Sequence, residues 1–409
     1  MALKKSAKKI LNKIKTRIWF SLYYGIYQKS KLDKNLVLIE SRSGSDLAGN
    51  ILYITKELYE NPDYRRLKLC ISAKSFKFQE VRAILNHYKI KKIKMLRAES
   101  IRYYKFASKA KYLVNDTSFP RRFIKKEGQI ILNTWHGTPL KNMGRDVESE
   151  VYNMGNVMRN LIFADYLIFP NEYMKEKMVS AYMLENLSGA TVLNEGYPRN
   201  SVFFDNKRRE ELRKKFGHEN KEVIVYMPTW RGKVNSFDTD RVIFETEQFL
   251  NQMDERLNDN QVLLVKYHPL MKIDFDGGKY RHIKSFPMGY EYYEILNTAD
   301  ILITDYSSVM FDYSILNRPM FFFAYDFYKY KNELRGFYFS YSKEMPGPIS
   351  TTTDELIEDI RSYDYSVYAQ RYEKFKKKYN SIDDGRAASR VLHLMKQLIP
   401  SKRIDVYYE

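Results

Sequence analysis

Short apolar runs that stop abruptly at polar, chemistry-bearing residues constrain this chain more than any other feature. Glu222-Val223-Ile224-Val225-Tyr226-Met227 stops at Pro228-Thr229-Trp230-Arg231-Gly232, and Gln261-Val262-Leu263-Leu264-Val265-Lys266-Tyr267 stops at His268-Pro269. Asp300-Ile301-Leu302-Ile303-Thr304 stops at Asp305-Tyr306-Ser307-Ser308, and Arg318-Pro319-Met320-Phe321-Phe322-Phe323 ends just before Asp326. Runs this short, apolar on both faces and separated by helical stretches, predict buried parallel strands. Ligands gather at the carboxyl ends of parallel strands, so these endings predict an active edge.

The first half repeats the alternation. A strand at 36–40 leads into the small-residue loop Ser41-Arg42-Ser43-Gly44-Ser45-Asp46 and a helix over about 47–58. The loop has neither the Gly-Lys-Ser/Thr ending of a P-loop nor the spacing of a dinucleotide fingerprint. Strands at 67–71, 93–96 and 112–114 alternate with helices around 78–88 and up to residue 109. Gln129-Ile130-Ile131-Leu132 then enters Asn133-Thr134-Trp135-His136-Gly137-Thr138-Pro139-Leu140-Lys141. Thr138 before Pro139 predicts a helix N-cap with proline in the first turn, which would set His136 beside a helix N-terminus. On these residues alone, His136 reads equally as a core histidine satisfied by a backbone partner. Thr191-Val192-Leu193 is read as opening a second unit near residue 190.

Residues 1–27 carry Leu3, Ala7, Ile10, Leu11, Ile14, Ile18 and Leu22 at helical spacing, with seven Lys and Arg on the remaining face. This predicts a basic amphipathic helix, and Trp19, Phe20, Tyr23 and Tyr24 are side chains enriched at a lipid interface. The competing reading is a helix packed on its own domain. No apolar run approaches the roughly 20 residues of a membrane span. The formal charge of +19 favours a phosphate-rich partner, nucleic acid or an anionic lipid surface. The charge concentrates at the lipid-type helix and no nucleic-acid recognition module is present, so nucleic acid is not expected as a partner. The single cysteine, Cys70, excludes an internal disulfide framework and a Cys-based zinc site.

The turn Asp305-Tyr306-Ser307-Ser308 before Val309-Met310-Phe311 offers two hydroxyls and free N–H groups to a phosphate; simple N-capping is the bland reading. Arg231 and His268 can neutralise a pyrophosphate, and Trp230 or Tyr306 can stack on a base. There is no His-Glu-x-x-His, no Cys pair, no closely spaced carboxylate run and no Gly-x-Ser-x-Gly elbow, so neither a metal site nor a cofactor is expected. Two histidines, several cations and a phosphate seat point to transfer of a phosphorylated group. His136 would then take a proton from an acceptor hydroxyl, and His268 would steady the phosphate under attack.

Thr134-Trp135-His136-Gly137-Thr138-Pro139-Leu140-Lys141, Gly196-Tyr197-Pro198-Arg199-Asn200, Pro228-Thr229-Trp230-Arg231, His268-Pro269 and 300–308 together resemble the CDP-glycerol glycerophosphotransferase family of teichoic acid synthesis. Phe311-Asp312-Tyr313, Arg318-Pro319, Tyr325-Asp326, Arg335-Gly336-Phe337-Tyr338 and Asp384-Gly385-Arg386-Ala387 extend the match. The resemblance implies an α/β fold of GT-B type, two Rossmann-like parallel-sheet domains facing across a cleft. It divides the chain into the amphipathic helix 1–27, an acceptor domain 28–190, a donor domain 191–365 and a helical segment 366–409. It implies a peripheral enzyme on the cytoplasmic face of a Gram-positive membrane. CDP-glycerol or CDP-ribitol would donate polyol phosphate to a hydroxyl of a lipid-linked saccharide or growing polymer, releasing CMP. His136 and His268 match the motif histidines; Trp230, Arg231, Asp305, Tyr306, Ser307 and Ser308 match the donor side. Gly137, Thr138, Lys141 and Arg199 are further cleft candidates. A GT-B glycosyltransferase using a nucleotide sugar is the neighbouring reading, and a nucleic-acid-binding protein a distant one.

Overall fold

The computed structural model describes residues 17–147, 151–229, 239–267, 277–330 and 336–397. They fall into two compact units, each built on its own parallel sheet. The first unit contains the described residues up to His136 with 155–168 and 184–193; the second contains those of 137–154, 169–183 and the chain from Asn194 onward.

The first sheet comprises β1 (Asp33–Glu40), β2 (Lys68–Ala73), β3 (Lys94–Arg97), β4 (Ala110–Asn115), β5 (Ile130–Asn133), β6 (Tyr166–Ile168) and β7 (Thr191–Leu193). Its order is β3-β2-β1-β4-β5-β6-β7, and every pairing is parallel. The strand centres are apolar because both faces are covered: Val37, Leu38, Ile39, Leu113 and Leu132 are buried, as are Ile51, Leu52 and Ile54 of the helix Gly49–Glu60. The strand order reverses between β1 and β4, which makes their carboxyl ends the switch point of a doubly wound sheet.

The second sheet repeats the plan with β8 (Glu222–Met227), β9 (Gln261–Val265), β10 (Ile283–Ser285), β11 (Ile301–Thr304), β12 (Met320–Phe323) and β13 (Ile349–Ser350). Its order is β10-β9-β8-β11-β12-β13, again all parallel, with the reversal between β8 and β11. One core face packs Ile224, Tyr226, Leu263, Val265, Ile303, Phe321 and Phe323 against Phe249, Leu250 and Met253 of the helix Thr239–Arg256.

Three local expectations are corrected. Thr191–Leu193 does not open the second unit: it is the edge strand β7, paired with β6 in the first sheet. No helix begins at Thr138. The loop's backbone groups are consumed elsewhere, because Asn142 N–H donates to the Gly336 carbonyl at 3.0 Å and Tyr338 N–H to the Leu140 carbonyl at 3.1 Å. The described part of the N-terminal helix, 17–29, divides its aromatics between two faces. Trp19 and the fully buried Tyr23 pack on Tyr104, whereas Ile18, Phe20, Leu22 and Tyr24 stay exposed. The hydrogen bond from Ile124 N–H to the Tyr23 hydroxyl (3.0 Å) and Lys126 at the Tyr27 and Ser30 carbonyls seat this helix on the first unit. Residues 1–16 and 398–409, parts of the predicted terminal segments, lie outside the described residues.

Gly347 lies beside β12, where a β-carbon would collide with the Met320 carbonyl oxygen and crowd the Tyr372 hydroxyl at 3.1 Å. Gly347→Ala should therefore lower stability by about 1–3 kcal/mol, read as a lower denaturant midpoint at unchanged slope.

Candidate functional site

In both units an aspartate one residue past a strand closes the switch point. In the first, Glu40 pairs in register with Asn115, and Asp116 follows. Its carboxylate accepts from Arg42 N–H at 2.7 Å and from the Ser41 hydroxyl at 3.2 Å. In the second, Met227 pairs with Thr304, and both oxygens of the Asp305 carboxylate accept from Thr229 N–H, at 2.8 and 3.0 Å. Each aspartate thus grips the backbone N–H two residues past the end of the neighbouring strand.

The clasp in the first unit shapes the loop 41–46. Arg42, Ser43 and Gly44 are all in the left-handed region, with φ of 43°, 53° and 77°. Asp116 holds Arg42, and the Thr117 hydroxyl oxygen accepts from Ser43 N–H at 3.2 Å. Behind it, Ser72, Glu40, Asn115 and Asn133 are register neighbours across β2, β1, β4 and β5, all buried. Burial pushes the Glu40 carboxyl up to about 7, and the nearby Asp116 charge adds to the shift. Asp116 is likewise raised to about 7 by burial, against the hydrogen bond from Arg42.

His136 stands three residues beyond the end of β5 with its side chain exposed. Its Nδ1 lies 2.9 Å from the Asp116 carbonyl oxygen. A carbonyl only accepts, so Nδ1 carries a proton and donates, and in the neutral form of the ring this tautomer has its lone pair on Nε2. This is the tautomer a general base needs.

The second-unit candidates have diverse environments. Ser307 and Ser308 are half-buried at the carboxyl end of β11, and the helix after them, Val309–Tyr313, is a single short turn with no side-chain cap from Ser308. The capping explanation for Ser308 therefore fails. A β-carbon at Gly137 would fall 2.8 Å from the Ser308 hydroxyl, so glycine permits this close approach. Tyr306 cannot be the base-stacking residue: it is 1% exposed, lies 4.1 Å from the Tyr330 ring and donates its hydroxyl to Asp326 at 3.0 Å. Lys141 lies over Tyr330 at 5.0 Å and Thr138 is buried. Arg199 is not a surface cation. Its guanidinium is buried, ion-paired with Asp312 at 2.7 Å and sandwiched between Tyr197 and Tyr293. Tyr293 donates to the same Asp312 oxygen at 2.6 Å. Trp230, Arg231 and His268 lie outside the described residues.

The family model for CDP-glycerol:poly(glycerophosphate) glycerophosphotransferase matches residues 22–397. The chain belongs to this family. It is 32% identical over 385 residues to the teichoic acid poly(glycerol phosphate) polymerase of Staphylococcus epidermidis, covering 90% of this chain and 51% of that one. It is 30% identical over 405 residues to the teichoic acid glycerol-phosphate transferase of Staphylococcus aureus, covering 93% and 98%. The solved wall teichoic acid polymerase TagF superposes with a TM-score of 0.78 at 28% identity, over 97% of both chains. The chain thus spans about half the length of the polymerase and nearly all of the transferase. Its glycerophosphotransferase fold is of GT-B type, with two Rossmann-like parallel-sheet units.

The motif reading of this glycerophosphotransferase family member assigned no separate role to Asp116, Asn133 or Asp312. Asp116 carried a usable signal, because Val114-Asn115-Asp116-Thr117 is a polar cluster at a strand end, the criterion that selected His136. Asp312 stood in the motif Phe311-Asp312-Tyr313, but its buried pairing with Arg199, 113 residues away, carried no local signal.

The Glu40 shift makes a pH prediction. A carboxyl raised to about 7 when folded favours the folded state at pH below its ordinary value of 4.5, and that contribution is lost as pH rises through 7. Glu40→Gln removes this dependence. The variant should match the parent near pH 4.5 and exceed it by about 1–3 kcal/mol near pH 8, measured by denaturant unfolding at both values.

Proposed function

We propose that this chain transfers glycerol phosphate from CDP-glycerol to a hydroxyl of a lipid-linked saccharide or growing teichoic-acid-type polymer, releasing CMP. The observation that carries the reading is the tautomer of His136, an exposed imidazole whose Nδ1–H is committed to the Asp116 carbonyl. Nε2 takes the proton of the acceptor hydroxyl as its oxygen attacks the glycerol-bearing phosphorus. The new P–O bond forms as the bond to the bridging oxygen breaks, and that oxygen leaves with CMP. Ser307 and Ser308 bind donor oxygens at the end of β11, and Asp305 serves by shaping the facing Thr229 turn. His268, Arg231 and Trp230 are assigned to the donor by their motif positions. The family name and both relatives specify glycerol phosphate, which favours it over ribitol phosphate. The polymerase TagF has been solved in a histidine-to-asparagine variant soaked with CDPG, which supports a histidine-dependent reaction on such a donor.

Peripheral attachment to the cytoplasmic face of the membrane completes the reading. No described helix is long and apolar enough to cross a bilayer, and the apolar residues exposed on 17–29 continue the basic stretch 1–16.

Purified protein should release CMP from CDP-glycerol with a lipid-linked polyol-phosphate acceptor, and His136→Ala should slow release about 10²- to 10⁴-fold while retaining donor binding. Turnover of UDP- or GDP-sugars in place of CDP-glycerol would overturn the assignment. For the membrane, Phe20→Glu with Leu22→Glu should lower pelleting with anionic liposomes without changing the fold, since both side chains are exposed. Undiminished pelleting would remove the lipid role of this face.

A further inference from the structure

Trp135 has a backbone conformation that its size makes costly. Its φ is 49°, in the left-handed region where bulky side chains are rare, yet its indole is 6% exposed. The conformation is held from several sides. Asn133 Oδ1 accepts from Trp135 N–H at 2.8 Å, while the Thr134 hydroxyl and Asn50 Nδ2 both donate to the Trp135 carbonyl, at 2.8 and 3.5 Å. Asn133 Nδ2 also donates to the Thr117 carbonyl at 2.8 Å, next to the Asp116 carbonyl that receives His136. The 133–136 turn therefore grips the 116–117 backbone at two consecutive carbonyls. Inside this turn the Trp135 and His136 rings stack, with centroids 4.4 Å apart and planes at 26°. A core tryptophan would need neither the left-handed backbone nor the stack on an exposed imidazole.

We propose that Trp135, held in the left-handed conformation by Asn133, is a positioning residue that turns the His136 ring outward and supports its protonated form during transfer. The proposal rests on His136 as the general base. Two physical effects follow. The stack and the Asp116 carbonyl together define the ring plane, so Nε2 meets the acceptor hydroxyl without a search over ring orientations. The indole face also attracts the imidazolium that forms as the proton arrives. Charged groups on neighbouring elements include Asp116, Arg42 and Asp46, which belong to the clasp on the 41–46 loop, and the buried Arg199, whose Nη2 would lie 3.8 Å from a β-carbon at Gly137. They are common to the parent and the variants, so they do not distort the comparison.

The test compares Trp135→Leu and Trp135→Phe with the parent in CMP release from CDP-glycerol, with donor binding and thermal melting measured on the same samples. Trp135→Leu should lose on the order of 10- to 100-fold in kcat with KM for CDP-glycerol unchanged. Its acid limb in the pH–rate profile should move about half a pH unit downward, as expected when an aromatic face is withdrawn from a cation. Trp135→Phe should restore most of the rate and the parental profile. If Trp135→Leu does not fold, Asn133→Ser replaces it, with the same predicted fall in kcat at constant KM. A folded Trp135→Leu with parental kcat and profile overturns the proposal, and so does a loss that follows melting temperature alone with an unmoved profile. His136→Ala serves as the control. Retained activity there would sink the general-base reading itself, whereas an inactive His136→Ala beside an unaffected Trp135→Leu would sink this proposal alone.

Discussion

The structure of each unit turns on one hydrogen bond, from a backbone N–H to the side chain of the aspartate that follows a central strand. A parallel sheet whose strand order reverses leaves two neighbouring strand ends whose chains depart in opposite directions, and their backbone groups lose ladder partners there. Asp116 supplies the missing acceptor to Arg42, and Asp305 to Thr229. A carboxyl oxygen accepts this bond in either protonation state, which suits a position where no further strand pairing helps. Two sheets with no strand in common reach the same solution at the same offset, which points to a requirement of the switch point itself.

In the first unit the clasp has chemical consequences. The Asp116 side chain holds the left-handed loop 41–46, while its main-chain carbonyl accepts the hydrogen bond from His136 Nδ1–H. One residue thereby sets both a loop conformation and a histidine tautomer. The polar rank Ser72, Glu40, Asn115 and Asn133 lies immediately behind, so the 133–136 turn grows from a polar layer inside a largely apolar sheet. Buried polar groups are tolerated where they specify geometry, and here the layer ends on the amide that orients Trp135.

In the second unit the polar residues that looked most available are mostly committed. Arg199 belongs to a buried ion pair with Asp312 and Tyr293, Tyr306 to an aromatic cluster, and Asp305 to the clasp. Ser307 and Ser308 remain half-buried at the strand end; the Ser307 hydroxyl accepts from Val309 N–H at 3.5 Å, while Ser308 makes no side-chain cap. A β-carbon at Gly137 would fall 2.8 Å from the Ser308 hydroxyl, which ties the residue after His136 to the turn after β11.

The sequence by itself determined the two parallel sheets, their main strands and the edge where polar residues collect, because short doubly buried strands must be largely apolar and must stop at turns. The predicted strands at 36–40 and 222–227 recur in β1 and β8, and the motif residues marked the family. It did not determine the short strands β6, β10 and β13, whose two or three residues carry no period. Nor did it determine which unit Thr191–Leu193 joins, since strand pairing is a long-range choice that local pattern does not encode. Only the tertiary structure decided that Arg199 and Tyr306 are buried, that Thr138 starts no helix, and that the Asp116 carbonyl meets the His136 ring. Each of these depends on a partner far away in the chain, whose identity appears only when folding brings the two together.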